Sequence, residues 1–227
     1  RASSVELQPS LDAVGTPASR GHWVIVDLET TGLGAGAEIT EIGAVSVQDG
    51  AIMDEFSSLV KPSRPIPPFI TSLTGITPAM VANADPIALV LERFMDWSGL
   101  GTKGGPVLVA HNASFDVGFL RRAARASSLP WPRIRVVDTL ALARLALPRP
   151  LVRNHKLAAI ASYFGTATVP EHRALGDARA TAEILLGFID LLAGAGATDV
   201  EDLVALTEQA PARRPSTPSF VADLPTS

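Results

Sequence analysis

His22-Trp23-Val24-Ile25-Val26-Asp27-Leu28-Glu29-Thr30-Thr31-Gly32 is the stretch on which the fold turns. Its first seven residues are too short a run for a helix and rich in β-branched side chains, so a buried strand is predicted over 22–28. Side chains alternate across a strand, so Asp27 and Glu29 share one face and Leu28 takes the other. Thr30-Thr31-Gly32 ends the strand in a turn. Two carboxylates on one face at a strand's end form a two-pronged cation ligand. The same pair also reads as a polar strand terminus in solvent, and alone it decides nothing.

Two further stretches carry acids on apolar elements. The residues 106–110 predict a second short strand, followed by His111-Asn112-Ala113-Ser114-Phe115-Asp116. Ser114 fits the N-cap of a helix over 115–127. At about 100° per residue, Arg121, Arg122 and Arg125 gather on one face of that helix, with Asp116 opposite, beside Phe119, Leu120 and Ala123. An acid in a first turn gains ~0.3–1 kcal/mol from the macrodipole, which is sufficient reason for Asp116 taken singly. The third stretch is a helix over 175–192, apolar around most of its circumference. Arg179, Glu183 and Asp190 share its polar face within about 40°, and Asp177 lies roughly 140° away, on the side of Ile184 and Phe188. His172 precedes this helix. Buried unpaired charge is prohibitively costly, so Asp27, Glu29, Asp116 and Asp177 need a shared positive partner. Carboxylate and water ligands suit magnesium or manganese.

Together these segments resemble the three motifs of the DEDDh 3′→5′ exonucleases, with an RNase H-like fold. The matching runs are Asp27-Leu28-Glu29-Thr30-Thr31-Gly32, His111-Asn112-Ala113-Ser114-Phe115-Asp116 and His172-Arg173-Ala174-Leu175-Gly176-Asp177-Ala178. Glu41-Ile42-Gly43-Ala44-Val45 and Leu73-Thr74-Gly75-Ile76 also resemble the family, and the likeness spans about 22–192. Within it the chain is most similar to the proofreading epsilon subunits of bacterial DNA polymerase III. The resemblance implies an α/β three-layer fold, a five-stranded mixed sheet flanked by helices with the first motif on the central strand. It implies two divalent ions, Mg2+ or Mn2+: Asp27, Glu29 and Asp177 at one, Asp27 and Asp116 (through water) at the other. His172 is then the general base, a role suited to an imidazole, which ordinarily titrates near ~6.5. The terminal nucleotide is expected against the backbone of Thr30 and Thr31, with Leu33 and Ile76 as an apolar wedge and Asn112 and Phe115 lining the pocket.

The rest of the chain frames that reading. With 227 residues and 47% hydrophobic content it can bury one full core. The absence of cysteine excludes disulfides and thiolate metal sites, and a cytoplasmic location is expected. No apolar run is long enough for a membrane span. The net charge is −4, yet nine basic residues fall between Arg121 and Lys156 against a single acid, Asp138. That excess reads either as a phosphate track or as solvated helix faces. Residues 1–20 are expected to form a loose arm, 21–209 the nuclease domain, and 210–227, rich in Pro, Ser and Thr, a tail or linker. A hairpin is expected at Asp49-Gly50. The expected partners are single-stranded or frayed DNA 3′ ends, with RNA as an alternative, and a DNA polymerase subunit. Two other readings stay open: an exoribonuclease of oligoribonuclease or RNase T type, and a non-catalytic adaptor docked to a polymerase.

Overall fold

The computed structural model describes residues 15–209. The first-motif strand, β1 (His22–Thr30), lies at the centre of a five-stranded sheet. β2 (Ile39–Gln48) and β3 (Ala51–Leu59) follow on one side, each antiparallel to its neighbour. β4 (Val107–Ala110) and β5 (Val136–Asp138) complete the other side in parallel, so the order is β3-β2-β1-β4-β5. Asp49 and Gly50 form the expected two-residue hairpin, both with positive φ (51° and 76°), as a turn matching the sheet's twist requires.

Strand alternation sorts the core into two layers. Trp23 and Ile25 of β1, with Val45 and Val47 of β2, pack against α5 (Thr139–Ala146), α6 (Leu157–Phe164), α7 (Ala174–Ala193) and α8 (Val200–Gln209). Val24, Val26 and Leu28 face the other way, onto α3 (Ile87–Ser98) and α4 (Ala113–Ala126). The short helices α1 (Pro68–Thr74) and α2 (Pro78–Val81) occupy the proline-rich connection. By this parity Asp27 and Glu29 belong to the α7 face.

α7 approaches the sheet unusually closely. A Cβ built on Gly43 would stand 2.1 Å from the Leu175 amide nitrogen and 2.2 Å from the Ala174 carbonyl carbon, both backbone atoms. Gly43 pairs with Asp27 in the sheet, so the helix start is brought beside that acid. The small buried Ala174, Ala178 and Ala182 keep α7 close to the strands.

Two expectations are corrected here. Residues 1–14 of the expected arm lie outside the described residues, but 17–20 are fixed against the domain. Pro17 bridges Asp199, and the Ala18 amide donates to Thr198 (2.9 Å). Ala18 is small enough to enter the α7-side core, where the Trp23 indole donates to its carbonyl (3.3 Å). The helix of the second motif also starts earlier than expected. Asn112, in the left-handed region (φ 75°), is its N-cap and Ser114 is already helical. The tail expected over 210–227 lies outside the described residues. No described helix is long and apolar enough to cross a membrane.

Candidate active site

Three elements deliver the acids to one end of β1. Asp27 and Glu29 leave the strand toward α7. α4 begins immediately after β4, the parallel neighbour of β1, and its first turn carries Asp116. Asp177 sits in the first turn of α7, where its carboxylate accepts from the Glu171 amide (2.9 Å). Asp116 and Asp177 are buried, while Asp27 and Glu29 are partly so. Glu29, His172 and Asp177 bring ligand atoms within 4.8 Å of one another. His172 is exposed and held in the left-handed region (φ 56°), an uncommon backbone state for a residue with a side chain. Such local strain concentrates at functional sites.

An ion pair beside the cluster, with a buried carboxylate and an exposed guanidinium, fixes α7 in place, and the motif residues alone do not reveal it. Glu41, on β2 opposite Glu29, is 2% exposed. It accepts from the Arg173 guanidinium at 3.1 and 2.7 Å and from the Ala174 amide at 3.0 Å. Glu41 thus caps α7 from another strand and consumes the nearest positive charge. Its signal in the sequence is an acid in an otherwise apolar strand, two residues before the glycine that admits the helix. His111 is structural: its ring bonds Thr139 (3.0 Å) and the His155 carbonyl (2.9 Å).

The electrostatics follow from burial without compensation. Among the described residues none of Asp27, Glu29, Asp116 and Asp177 has a salt-bridge partner. Burial pushes the Asp27 carboxyl well up, and repulsion from Asp116, Asp177, Glu29 and Glu41 adds to it. Glu29 is pushed up to about 8 by burial first and then by Asp177 and Glu41, with Arg173 partly opposing. Burial also raises Asp116, against hydrogen bonds from its own amide and that of Leu28. Asp177 rises for the same first reason, held back by the Glu171 amide. An oxygen-only set of this charge, with a histidine at its edge, fits a hard divalent cation.

These shifts set a sign for stability. A carboxyl whose pKa is higher folded than unfolded binds its proton more tightly in the native state, so its contribution fades as pH rises. For Glu29 the window runs from its ordinary 4.5 to about 8. The melting temperature of EDTA-treated protein is therefore expected to fall between pH 5 and pH 8. Saturating manganese should flatten that slope, as a ligand selective for the folded state does. Calorimetry across the pH series checks it. A metal-free protein that gains stability toward pH 8 contradicts the repulsive cluster.

The expected nucleotide pocket is only partly available. Leu33 is 59% exposed and Phe115 half-buried, its ring 4.7 Å from that of Phe119. Asn112 is exposed at the start of α4. Ile76, expected as a wedge, has no exposed surface. It packs with Ile66, Ile70 and Val81 in a satellite core, so it supports α1 and α2 rather than meeting a ligand. The Thr31 N–H is already engaged within the loop: it donates to the Glu38 carbonyl (2.8 Å), while the Thr31 hydroxyl accepts from the Glu38 amide (2.9 Å). Thr30 is buried, its hydroxyl donating to the Gly32 carbonyl (2.8 Å). Of the basic run 121–156, Arg135 is spent on Glu201 and the Gly105 carbonyl (2.7 Å).

Residues 24–185 match the family RNase_T, described as exonuclease. A Mycobacterium tuberculosis protein described as a bifunctional exonuclease/endonuclease is 46% identical over 206 residues, covering 86% of this chain and 31% of that protein. A PolC-type DNA polymerase III of Thermotoga petrophila is 40% identical over 188 residues, covering 82% of this chain and 13% of the polymerase. The chain thus spans less than a third of the length of either relative. Among solved structures, exonuclease X in complex with 5′ overhanging duplex DNA has a TM-score of 0.61 and 32% identity, covering 82% of this chain and 99% of its own. The nuclease domain of 3′hExo, a DEDDh member bound to rAMP, has a TM-score of 0.63 and 25% identity, covering 75% and 92%.

Proposed function

We propose, since this chain belongs to the RNase_T exonuclease family, that it removes nucleoside 5′-monophosphates from DNA 3′ ends with the help of two divalent ions. The observation that carries this reading is the cluster of Asp27, Glu29, Asp116 and Asp177. These four carboxylates come from three elements, with raised pKa values and no salt-bridge partner among the described residues. Asp27, Glu29 and Asp177 would hold one ion, and Asp27 with Asp116 the other. When bound, Mg2+ or Mn2+ supplies charge stabilisation to the oxygens at the reacting phosphorus.

The chain's own residues do the rest. His172, at the exposed edge of the cluster, takes a proton from the attacking water. The water oxygen bonds to phosphorus, the P–O3′ bond breaks, and the 3′-oxygen leaves and is protonated. The products are a nucleoside 5′-monophosphate and a strand with a new 3′-hydroxyl. Leu33, Phe115 and Asn112 would flank the terminal nucleotide. Residues 21–209, with the packed segment 17–20, form the nuclease domain in this reading. The polymerase context of the PolC-type relatives motivates a proofreading or repair role, with a DNA polymerase subunit as partner.

RNA remains the second substrate class, because the 3′hExo neighbour is described as bound to rAMP. One sample, tested with magnesium, manganese and excess EDTA on matched, mismatched and single-stranded DNA beside RNA, decides these points. With a 5′ label, stepwise shortening from the 3′ end is expected, fastest at frayed ends and absent in EDTA. Release of a labelled 5′-terminal mononucleotide first, or cleavage of closed circular single strands, would reverse the assigned polarity. Full activity in EDTA would remove the ions from the mechanism.

A further inference from the structure

The segment 165–173, between α6 and α7, runs back along α7 toward its start and is fastened to it at successive points. At the far end Phe164, the last residue of α6, packs edge-on against Phe188 (4.9 Å between centroids) and closes over Gly187, where a Cβ would stand 2.5 Å from the ring. One turn nearer the start, Glu183 gathers three donors from the segment: the Ala167 amide, the Thr168 amide (3.0 Å) and the Thr168 hydroxyl (2.6 Å). At the start itself the Glu171 amide donates to Asp177 (2.9 Å), and Arg173 and Ala174 are held by Glu41. His172 lies between these last two ties.

Glu183 is therefore not a solvated member of the α7 polar face. It makes no ion pair among the described residues, and both of its carboxylate oxygens are given to the segment. The consequence is a matter of reach. From Asp177 to Glu183 the helix rises by ~9 Å, at about 1.5 Å per residue. From Thr168 to Glu171 the chain has only three steps, which span at most ~10–11 Å when fully extended. The stretch between the two ties, Val169 and Pro170, has little slack. Pro170 stiffens it further, by its fixed φ and by holding Val169 extended. His172 keeps a left-handed backbone (φ 56°), a state that persists only where neighbouring structure imposes it. A segment held taut on one side, and by Glu41 on the other, imposes it.

We propose that Glu183 is a positioning residue for hydrolysis: by clamping 167–168 it keeps the segment taut and holds the His172 imidazole at the edge of the carboxylate cluster. The inference rests on the reading of His172 as the general base. Among the described residues the hydrogen bonds of Glu183 go to Ala167 and Thr168 alone, so its effect passes through the backbone of 168–172.

The test is a double-mutant cycle on hydrolysis of single-stranded DNA 3′ ends with saturating manganese. Glu183→Ala should lower kcat by roughly ten- to a hundredfold, since a misplacement of about 1 Å costs up to ~10²-fold. KM and the manganese-induced rise in melting temperature should keep their wild-type values, because Asp177 stays in place on α7. In a His172→Ala background the same substitution should have no further effect, as expected when both changes act through one group. Thr168→Val, which removes one donor and leaves α7 unchanged, should show a smaller loss in kcat, and Thr168→Ser should restore it. A wild-type kcat in Glu183→Ala overturns the proposal. So does an equal loss in both backgrounds, which marks a general effect on the fold. If Glu183→Ala does not fold, the Thr168 pair decides: Thr168→Val at the wild-type rate, or Thr168→Ser no better than Thr168→Val, overturns it. A wild type that hydrolyses no 3′ end refutes the nuclease reading instead. The NMR resonances of the His172 ring then judge the clamp: Glu183→Ala should shift or broaden them, and unchanged resonances overturn it.

Discussion

Asp27→Asn is expected to abolish turnover and, in the same protein, to raise the melting temperature of the metal-free state. Both effects have one cause. Asp27 is the ligand proposed to be shared by both ions, so its loss removes charge stabilisation from both sides of the reacting phosphorus. Deleting a single preorganised electrostatic group typically costs roughly 10²–10³-fold, and a shared ligand should exceed that range. In the metal-free fold the same carboxylate is enclosed among Asp116, Asp177, Glu29 and Glu41, which raise its pKa together with burial. Asparagine keeps the shape and removes the repulsion. Each kcal/mol recovered corresponds to about 2–4 °C in a domain of this size. Manganese should stabilise the variant less than the wild type. Calorimetry with and without manganese, beside a nuclease assay, reads all three quantities. Near-normal turnover, or a metal-free melting temperature below that of the wild type, would falsify the assignment of Asp27.

That trade between stability and function explains why the acids are legible in the amino-acid sequence. An acid inside β1, or on the apolar side of α7, contradicts the local pattern, and a local contradiction marks a site. The sheet is legible for the complementary reason. Short β-branched runs at 22–28 and 106–110 and the Asp49-Gly50 turn all agree with their final states, and the central place of β1 follows from the family resemblance. What the sequence conceals depends on contacts between distant residues. Ile76 follows a motif-like Leu73-Thr74-Gly75, yet its burial is set by Ile66, Ile70 and Val81. The Thr31 amide looks free in a turn until Glu38 returns across it. Glu41 and Arg173 are 132 residues apart, and only the close approach of α7 over Gly43 joins them. Arg135, one cation of a basic run, is claimed by Glu201.

His172→Ala is expected to slow hydrolysis by ~10²–10⁴-fold, the usual cost of losing a general base, while leaving manganese-induced stabilisation largely intact. The structure gives this prediction an edge, because the ring reaches the same space as the Glu29 and Asp177 carboxylates, within 4.8 Å, where a ligand role is also geometrically open. The two roles differ in what else changes. Asp177 is fixed by the packing of α7 and by the Glu171 amide, whereas His172 stands exposed on the preceding segment. A base at that edge can be removed without disturbing the carboxylates that hold the ions. The loss should therefore fall mainly on kcat, and the acid limb that a histidine base imposes on the wild-type rate should vanish or move in the variant. A ligand would behave differently. Its removal would lower manganese affinity and the thermal shift with it, while the remaining activity would keep the wild-type pH profile. Pairing a manganese titration of the melting temperature with a pH series of kcat separates the two. An abolished thermal shift with an unchanged pH profile would assign His172 to the metal and require another acceptor for the water's proton.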